Sequence, residues 1–144
     1  MEFSIEFYET GSGRCPVREF LDDLKESDPG DFAAVMAGLT KLQSRHYHRP
    51  PLSKHIGDDL FELRHVGKLN SRVLYFFMKG KRIIALHGIR SKAKKIFPKD
   101  RKVALDMSGA TRNCINTGGL KMLYFLPKML IQNPSYLSYS SYSL

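Results

Sequence analysis

Three strand-forming segments joined by two very short connections constrain the fold of this chain more than any other feature. The segments run from Leu60 to Val66, from Arg72 to Met78 and from Arg82 to Ile89, and all three are rich in apolar side chains. The connections are Gly67–Asn70 and Lys79–Lys81. Because such short connections join only neighbouring antiparallel strands, the three segments are predicted to form an antiparallel meander.

The residues before the meander have the patterns of one strand and two helices. Phe3, Ile5 and Phe7 alternate with polar neighbours, which predicts a half-buried strand. A first helix is predicted after Pro16, and a second is predicted to open near Asp31 as its N-cap. Each helix has one apolar stripe at helical spacing, formed by Val17, Phe20, Leu21 and Leu24 in the first and by Phe32, Val35, Leu39 and Leu42 in the second.

A last short helix is predicted to begin near Pro98, so the order of elements is β-α-α-β-β-β-α. The fold class is therefore α+β, a small antiparallel sheet with two N-terminal helices packed on it, in a domain covering residues 1–107. Residues 108–144 contain no acidic side chain, four of the seven tyrosines and no periodicity. We predict that they form a flexible tail. One hypothesis is that this tail results from translation past a shifted stop codon or reading frame.

Positive charge is concentrated in the second half of the domain. Residues 1–32 hold nine acidic side chains against three basic ones, whereas residues 41–107 hold 17 Lys or Arg against five acidic side chains. These cations interleave with strand-forming residues, so we expect one surface of the sheet to bind a polyanion. The alternative is an ordinary solvated face rich in lysine.

The cysteines and the apolar segments bear on the compartment. Cys15 and Cys114 are too few and too far apart for a disulfide framework or a metal site, so no metal is predicted. Met1–Glu9 lacks the apolar stretch of a signal peptide, and Leu120–Ile131 is too short and too interrupted to span a bilayer. We therefore expect a cytoplasmic protein that does not contact membranes.

Symmetric hairpin registers predict which side chains share a face of the meander. In these registers Arg64 lies opposite Arg72, and Arg72 lies opposite Gly88. Side chains two residues apart share a face. The residues expected on one face are Glu62, Arg64, Arg72 and Leu74, with Arg90 at its edge.

Two arginines that face each other repel, which favours an anionic ligand between them. A guanidinium is a planar, permanently charged fork that suits phosphate, so the arginine pair predicts contact with a nucleic-acid backbone. Glu62 could neutralise part of this charge. The alternative is that Arg64 and Arg72 only flank a solvated face and pair with Glu62 or Asp59.

The register also places the histidine and the basic run at the end of the meander. His87 is expected beside Val73 on the opposite face, as a core histidine, and a general base is the competing interpretation. The run Arg90–Lys95 follows the last strand and extends the positive surface.

Four motifs, in this order, resemble the RelE/HigB toxin family, and more narrowly its phage-derived Gp49-like branch. They are Cys15–Leu21, Leu60–Arg64, Ser71–Phe76 and Ala85–Gly88 with the lysines after it. The resemblance covers about residues 1–107. It implies a RelE-like fold and the toxin of a bacterial type II toxin-antitoxin system, a ribosome-dependent mRNA endoribonuclease that inhibits translation. It also implies a cognate antitoxin, expected to be a helix-turn-helix protein.

The resemblance also suggests roles for individual residues. Arg72 matches the arginine that stabilises the scissile phosphate, and Arg90 matches the basic residue after the last strand. Arg64 lies near the basic pair of the preceding strand, and Glu62 stands near a position where relatives carry lysine. The proton acceptor therefore stays open. The catalytic residues predicted are Arg64, Arg72, Arg90 and Lys92, with His87 as a candidate base. The RNA-binding residues predicted are Lys68, Arg82, Lys94 and Lys95.

Cleavage of this kind requires no metal or cofactor, since RNA carries its own nucleophile, the 2′-hydroxyl. The expected partners are the ribosomal A site with its mRNA and the antitoxin. The alternative function is a non-cleaving binding protein, either a degenerate toxin, a ParE-like gyrase inhibitor or a non-toxic RNA-binding module. The arginine pair favours the RNA-cleaving function, because a gyrase inhibitor does not need cations side by side on its sheet.

Overall fold

A computed structural model describes residues 2–116 and the short segment Tyr124–Phe125. The predicted α+β class is confirmed. The elements in chain order are β1 (Ser4–Phe7), α1 (Pro16–Ser27), α2 (Pro29–Lys41), a 3₁₀ turn (Arg45–Tyr47), β2 (Ser53–Gly57), β3 (Leu60–Val66), β4 (Asn70–Met78), β5 (Arg82–Ser91), α3 (Pro98–Asn116) and the two-residue β6 (Tyr124–Phe125).

The strands form one sheet in the order β2-β3-β4-β5-β1-β6. Strands β3 to β5 form the predicted antiparallel meander, β2 extends it by pairing antiparallel with β3, and β1 lies parallel to β5. Strand β2 is missing from the sequence prediction because its residues, Ser-Lys-His-Ile-Gly, include a single large apolar side chain. An edge strand of this kind depends on its pairing with β3 more than on its own propensity.

Both faces of the sheet are covered, and each has its own apolar core. Helices α1 and α2 contribute to the first core, which contains Ile5, Phe7, Val17, Leu21, Phe32, Leu39, Leu63, Val73 and Tyr75. Helix α3 contributes to the second, which contains Leu60, Leu74, Phe76, Ile84, Leu86, Ile89 and Ala104. We call these the α1/α2 face and the α3 face.

Helix α2 begins at Pro29, and its N-cap lies three residues before the predicted one, Asp31. The side chain of Asp28 accepts a hydrogen bond from the Asp31 backbone N–H at 3.1 Å and is the N-cap. Pro29 suits the first helical position, because its missing N–H would have no partner there. Asp31 is thus a first-turn residue, and its carboxylate is free to bind other groups.

The first hairpin has the predicted register, with Arg64 opposite Arg72. The second keeps its predicted register only as far as Tyr75 opposite Ala85. A β-bulge then makes Leu74 pair with His87. The prediction that Arg72 faces Gly88 is therefore wrong, and Arg72 faces Ile89. Because side chains alternate along a strand, a shift of one residue moves the side chains after the bulge to the opposite faces.

Helix α3 is longer than predicted, with 19 residues, and it passes the expected domain boundary at residue 107. Ser108 and Thr111 are buried, and the Arg112 guanidinium lies 4.7 Å from the centre of the Phe76 ring. Residues 117–123 and 126–144, and with them most of the predicted flexible tail, lie outside the described residues. Among the helices that are described, none combines the length and apolar character needed to cross a bilayer.

Candidate nucleic-acid interface

Arg72 lies on the α3 face near the start of β4, and it is buried, with 1% of its surface exposed. Its Nε lies 3.2 Å from Glu62 Oε2, as an ion pair on neighbouring strands. Its Nη2 donates to the carbonyl oxygens of Ala93 at 3.0 Å and Lys94 at 2.7 Å. Arg72 therefore holds the loop that follows β5.

The Glu62–Arg72 pair explains how two arginines can face each other in this sheet. The carboxylate of Glu62 is 94% buried and compensates the charge of Arg72. Nε meets Glu62 as an ion pair without hydrogen-bond geometry, and the buried Nη1 likewise has no hydrogen-bond partner in the described part of the chain. A buried charge of this kind depends strongly on its partner, because removing the partner leaves the charge uncompensated.

Arg64, directly opposite Arg72, has a different environment. Its side chain is exposed and has no hydrogen bond or ion pair with any residue that the structure describes. The register thus brings together one neutralised arginine and one available arginine. Arg64 is the one that can bind an anion from solution.

The loop after β5, which we call the lysine loop, carries three of the predicted residues, Lys92, Lys94 and Lys95, all exposed. Asn70 Nδ2 adds a second bond to the carbonyl of Ala93, at 3.1 Å. Because two side chains of β4 hold the loop backbone, the backbone atoms from which its lysine side chains extend have fixed positions. The turn that carries exposed Lys68 lies at the same end of the sheet, since Asn70 pairs with both Val66 and Ser91.

His87 is on the α3 face, so the expectation that it lies beside Val73 in the other core is wrong. The bulge turns both Leu86 and His87 toward α3. The ring Nε2 lies 3.0 Å from Asp100 Oδ1 near the start of that helix, and the two side chains are 22% and 18% exposed. An imidazole oriented by a carboxylate and open to solvent can transfer protons.

Arg90 is on the α1/α2 face, opposite Ser71, so the expectation that it extends the face of Arg72 is also wrong. Its Nη2 donates to Asp28 Oδ2 at 2.9 Å and to Asp31 Oδ2 at 3.2 Å. The hydrogen bond from the Asp31 N–H, together with the positive charge of Arg90, lowers the pKa of Asp28. Arg90 therefore joins the end of β5 to the start of α2.

Arg82 is at the other end of β5, roughly 30 Å along the strand from the lysine loop. It donates from Nε and Nη2 to the buried carboxylate of Glu6, at 2.6 and 2.8 Å, and this pairing raises the pKa of Arg82. The structure thus groups Arg64, Lys68, Lys92, Lys94 and Lys95 at one end of the sheet and separates Arg82 from them.

Sequence reasoning missed a second histidine–carboxylate pair and the cleft next to it. His65 Nε2 lies 3.1 Å from Asp31 Oδ1, and His65 lines a cavity of about 550 Å³ together with Arg64 and Lys41. A local sequence pattern cannot predict this cleft, because its walls come from the end of α2 and from β3, which are distant in the sequence. Within the described residues, no group of three His, Cys, Asp or Glu side chains could hold a metal ion.

Comparison with known proteins gives one family. The family model of the phage-derived Gp49-like proteins matches residues 19–108, which is more than half of the chain and extends from α1 into α3. None of the curated proteins matches the chain. The matched range contains all of the cations grouped above.

Proposed function

Because this chain belongs to the phage-derived Gp49-like family, a family of RelE/HigB-type toxins, we propose that it is a ribosome-dependent mRNA endoribonuclease that inhibits translation. The family implies an antitoxin partner, and we propose a helix-turn-helix protein in that role. The other proposed partners are the ribosomal A site and its mRNA, which place the toxin in the cytoplasm.

The observation that carries the proposal is the contrast between the two facing arginines. Arg72 is neutralised by Glu62 and holds the loop of Lys94, whereas Arg64 is exposed and has no acidic partner among the described residues. On an ordinary solvated face, the arginines would form ion pairs with nearby carboxylates. Here Glu62, the carboxylate that lies beside these arginines in the described sheet, is paired with Arg72, which leaves Arg64 available for a phosphate.

The proposed chemistry is transfer of the phosphoryl group to the neighbouring ribose oxygen. His87 takes the proton of the 2′-hydroxyl, the O2′ atom attacks phosphorus, and the bond from phosphorus to O5′ breaks. The products are a 2′,3′-cyclic phosphate and a 5′-hydroxyl whose proton comes from solvent. Arg64 balances the charge that develops on the phosphoryl oxygens.

The remaining predicted residues have positioning roles in this proposal. Lys92, Lys94 and Lys95 bind the RNA backbone on either side of the cleaved bond, and Lys68 adds charge from the neighbouring turn. Arg72 acts through the loop and does not touch the RNA. Holding the reacting atoms in line lowers a barrier by about 7–11 kcal/mol in well-oriented systems, which is why few catalytic groups are needed.

The test uses the purified full chain in a translation extract with ribosomes and a defined mRNA, and maps the cut sites by primer extension. We expect cuts within codons that depend on ribosomes and persist when divalent cations outside the ribosome are limited. Arg64→Ala should reduce cleavage, and Lys79→Ala, an exposed cation in the β4–β5 turn, is the matched control.

An intact mRNA after exposure to the full chain would contradict the proposal. In that case two further measurements identify the alternative. Inhibition of gyrase supercoiling would indicate a ParE-like inhibitor, and tight binding to RNA without cleavage would indicate a degenerate toxin or an RNA-binding module.

A further inference from the structure

A cleft lies along the outer edge of β3, beyond the point where its pairing with β2 ends at Ser53 opposite Leu63. Its walls come from the end of α2, the segment that enters β2, and β3 itself. It consists of a cavity of about 550 Å³ and an adjoining one of about 300 Å³. Both are lined by Lys41, Leu52, Arg64 and His65. We call this cleft the edge groove.

Three cations line the edge groove beside a single carboxylate, that of Glu62, so its described lining residues carry a net positive charge. Lys41, Lys54 and Arg64 line it, and none of them has a carboxylate partner among the described residues. The carboxylate of Glu62, and that of Asp31 nearby, already have partners of their own. Glu62 is paired with Arg72, and Asp31 with both His65 and Arg90.

One wall of the edge groove offers a flat, partly exposed aromatic surface. Tyr47 is 37% exposed, and the ammonium group of Lys41 lies 5.6 Å from the centre of its ring. Pro50 and Pro51 continue this wall. A nucleobase can stack on such a surface whatever its identity, because every base has a π-face.

The inner end of the groove has a polar group with a fixed orientation. His65 binds Asp31 through Nε2, and its Nδ1 has no hydrogen bond in the described structure. The Asp31 carboxylate is itself held by Arg90. The imidazole therefore presents Nδ1 at a defined position, where it can form a hydrogen bond with the edge of a base.

We propose that the edge groove binds one nucleotide of single-stranded RNA, with its phosphate on Arg64 and Lys41 and its base stacked on Tyr47. The volume lies in the range of small-ligand sites. Cations beside an aromatic platform match a nucleotide better than an acidic peptide, which offers charge but no ring to stack. The inference rests on the proposed function in one respect, since Arg64 would contact phosphates in both sites and the bound nucleotide would flank the cleaved one.

The test is a titration of the ¹⁵N-labelled full chain with uridine 5′-monophosphate, inorganic phosphate and hexaglutamate, followed by NMR. We expect the nucleotide to shift the amides of residues 41, 47 and 52 and to bind more tightly than phosphate. Tyr47→Ala and Lys41→Ala should weaken nucleotide binding roughly 5- to 100-fold, and Lys79→Ala should leave it unchanged.

Three results would overturn the inference. They are shifts confined to other parts of the sheet, equal binding of nucleotide and phosphate, or tighter binding of hexaglutamate, which would indicate an acidic protein segment as the occupant. The proposed function is tested separately, by measuring mRNA cleavage. If the wild type cleaves mRNA and Tyr47→Ala cleaves it at the same rate and sites, only the role of the groove is refuted. If the protein binds the nucleotide but does not cleave mRNA, only the proposed function is refuted.

Discussion

His87 and Asp100 are joined by a hydrogen bond of 3.0 Å that links β5 to α3 on the face of the sheet that carries Arg72. The bulge opposite Leu74 creates this relationship, because it adds Leu86 to β5 and turns the next side chain toward α3. A histidine thus lies on the same face as Arg64 and Arg72, with a carboxylate that fixes the orientation of its ring.

We expect His87→Gln to lower ribosome-dependent cleavage by about 10²- to 10⁴-fold, the usual contribution of a general base. Glutamine can still donate to Asp100, so the melting temperature should change little. Single-turnover cleavage on ribosomes measures the effect. Asp100→Asn serves as the comparison and should give a smaller loss, since it disturbs only the orientation of the ring. A fully active His87→Gln would remove His87 from the mechanism.

The two facing arginines should differ sharply in their contribution to stability. Glu62→Gln leaves the buried guanidinium of Arg72 without its counter-charge and should lower the free energy of unfolding by about 3–5 kcal/mol. Arg64→Ala should change it by no more than about 0.5 kcal/mol, because Arg64 is exposed. Urea denaturation of both variants tests the contrast. Equal effects would show that Arg72 is not buried as described.

Replacing Gly88 by a larger residue should destabilise the fold, although Gly88 lies within a strand, β5. A Cβ at this position would lie 2.2 Å from Phe20 Cγ, so Gly88→Ala forces the ring to move. We expect a loss of about 1–3 kcal/mol in thermal or urea unfolding. Gly11→Ala, with open space around it, is the control, and Phe20→Leu combined with Gly88→Ala should recover part of the loss.

Stability should depend on pH through Asp28. Its pKa is lowered below the ordinary 3.8 by the N–H of Asp31 and by Arg90, so the ionised form is favoured in the folded state. The stabilisation is present above the ordinary pKa and is lost as the pH falls through the lowered one. Asp28→Asn keeps the cap and loses the charge. Its melting temperature should be lower than that of the wild type at pH 6, and the difference should shrink as the pH falls through the lowered pKa of Asp28.

The lysine loop should contribute charge to RNA binding and little to the fold. Lys94→Ala combined with Lys95→Ala should reduce the slope of log affinity against log salt by about 0.7 for each phosphate that the variant no longer neutralises. Fluorescence titration of a single-stranded RNA at several salt concentrations measures this slope. An unchanged slope would place the RNA elsewhere on the protein.

Much of the architecture is determined by local patterns in the sequence. The apolar stripes of α1 and α2 and the short turns of the meander are sufficient to predict the α+β class, and the first turn gives the correct pairing of Arg64 with Arg72. The charge asymmetry also identifies the segment that holds the exposed cations. These features depend on neighbours within a few residues, which a sequence displays directly.

The tertiary structure decided which face each functional side chain occupies. Strand β5 is covered by helices on both faces, so its apolar residues do not alternate and its pattern cannot reveal a bulge. The shift at Leu86 moves His87 toward α3 and Arg90 toward Asp28 and Asp31. Burial of Arg72 likewise depends on carbonyl groups about twenty residues away, and the edge groove joins α2 to β3. These interactions form only when distant segments pack, because register and burial belong to the assembled sheet.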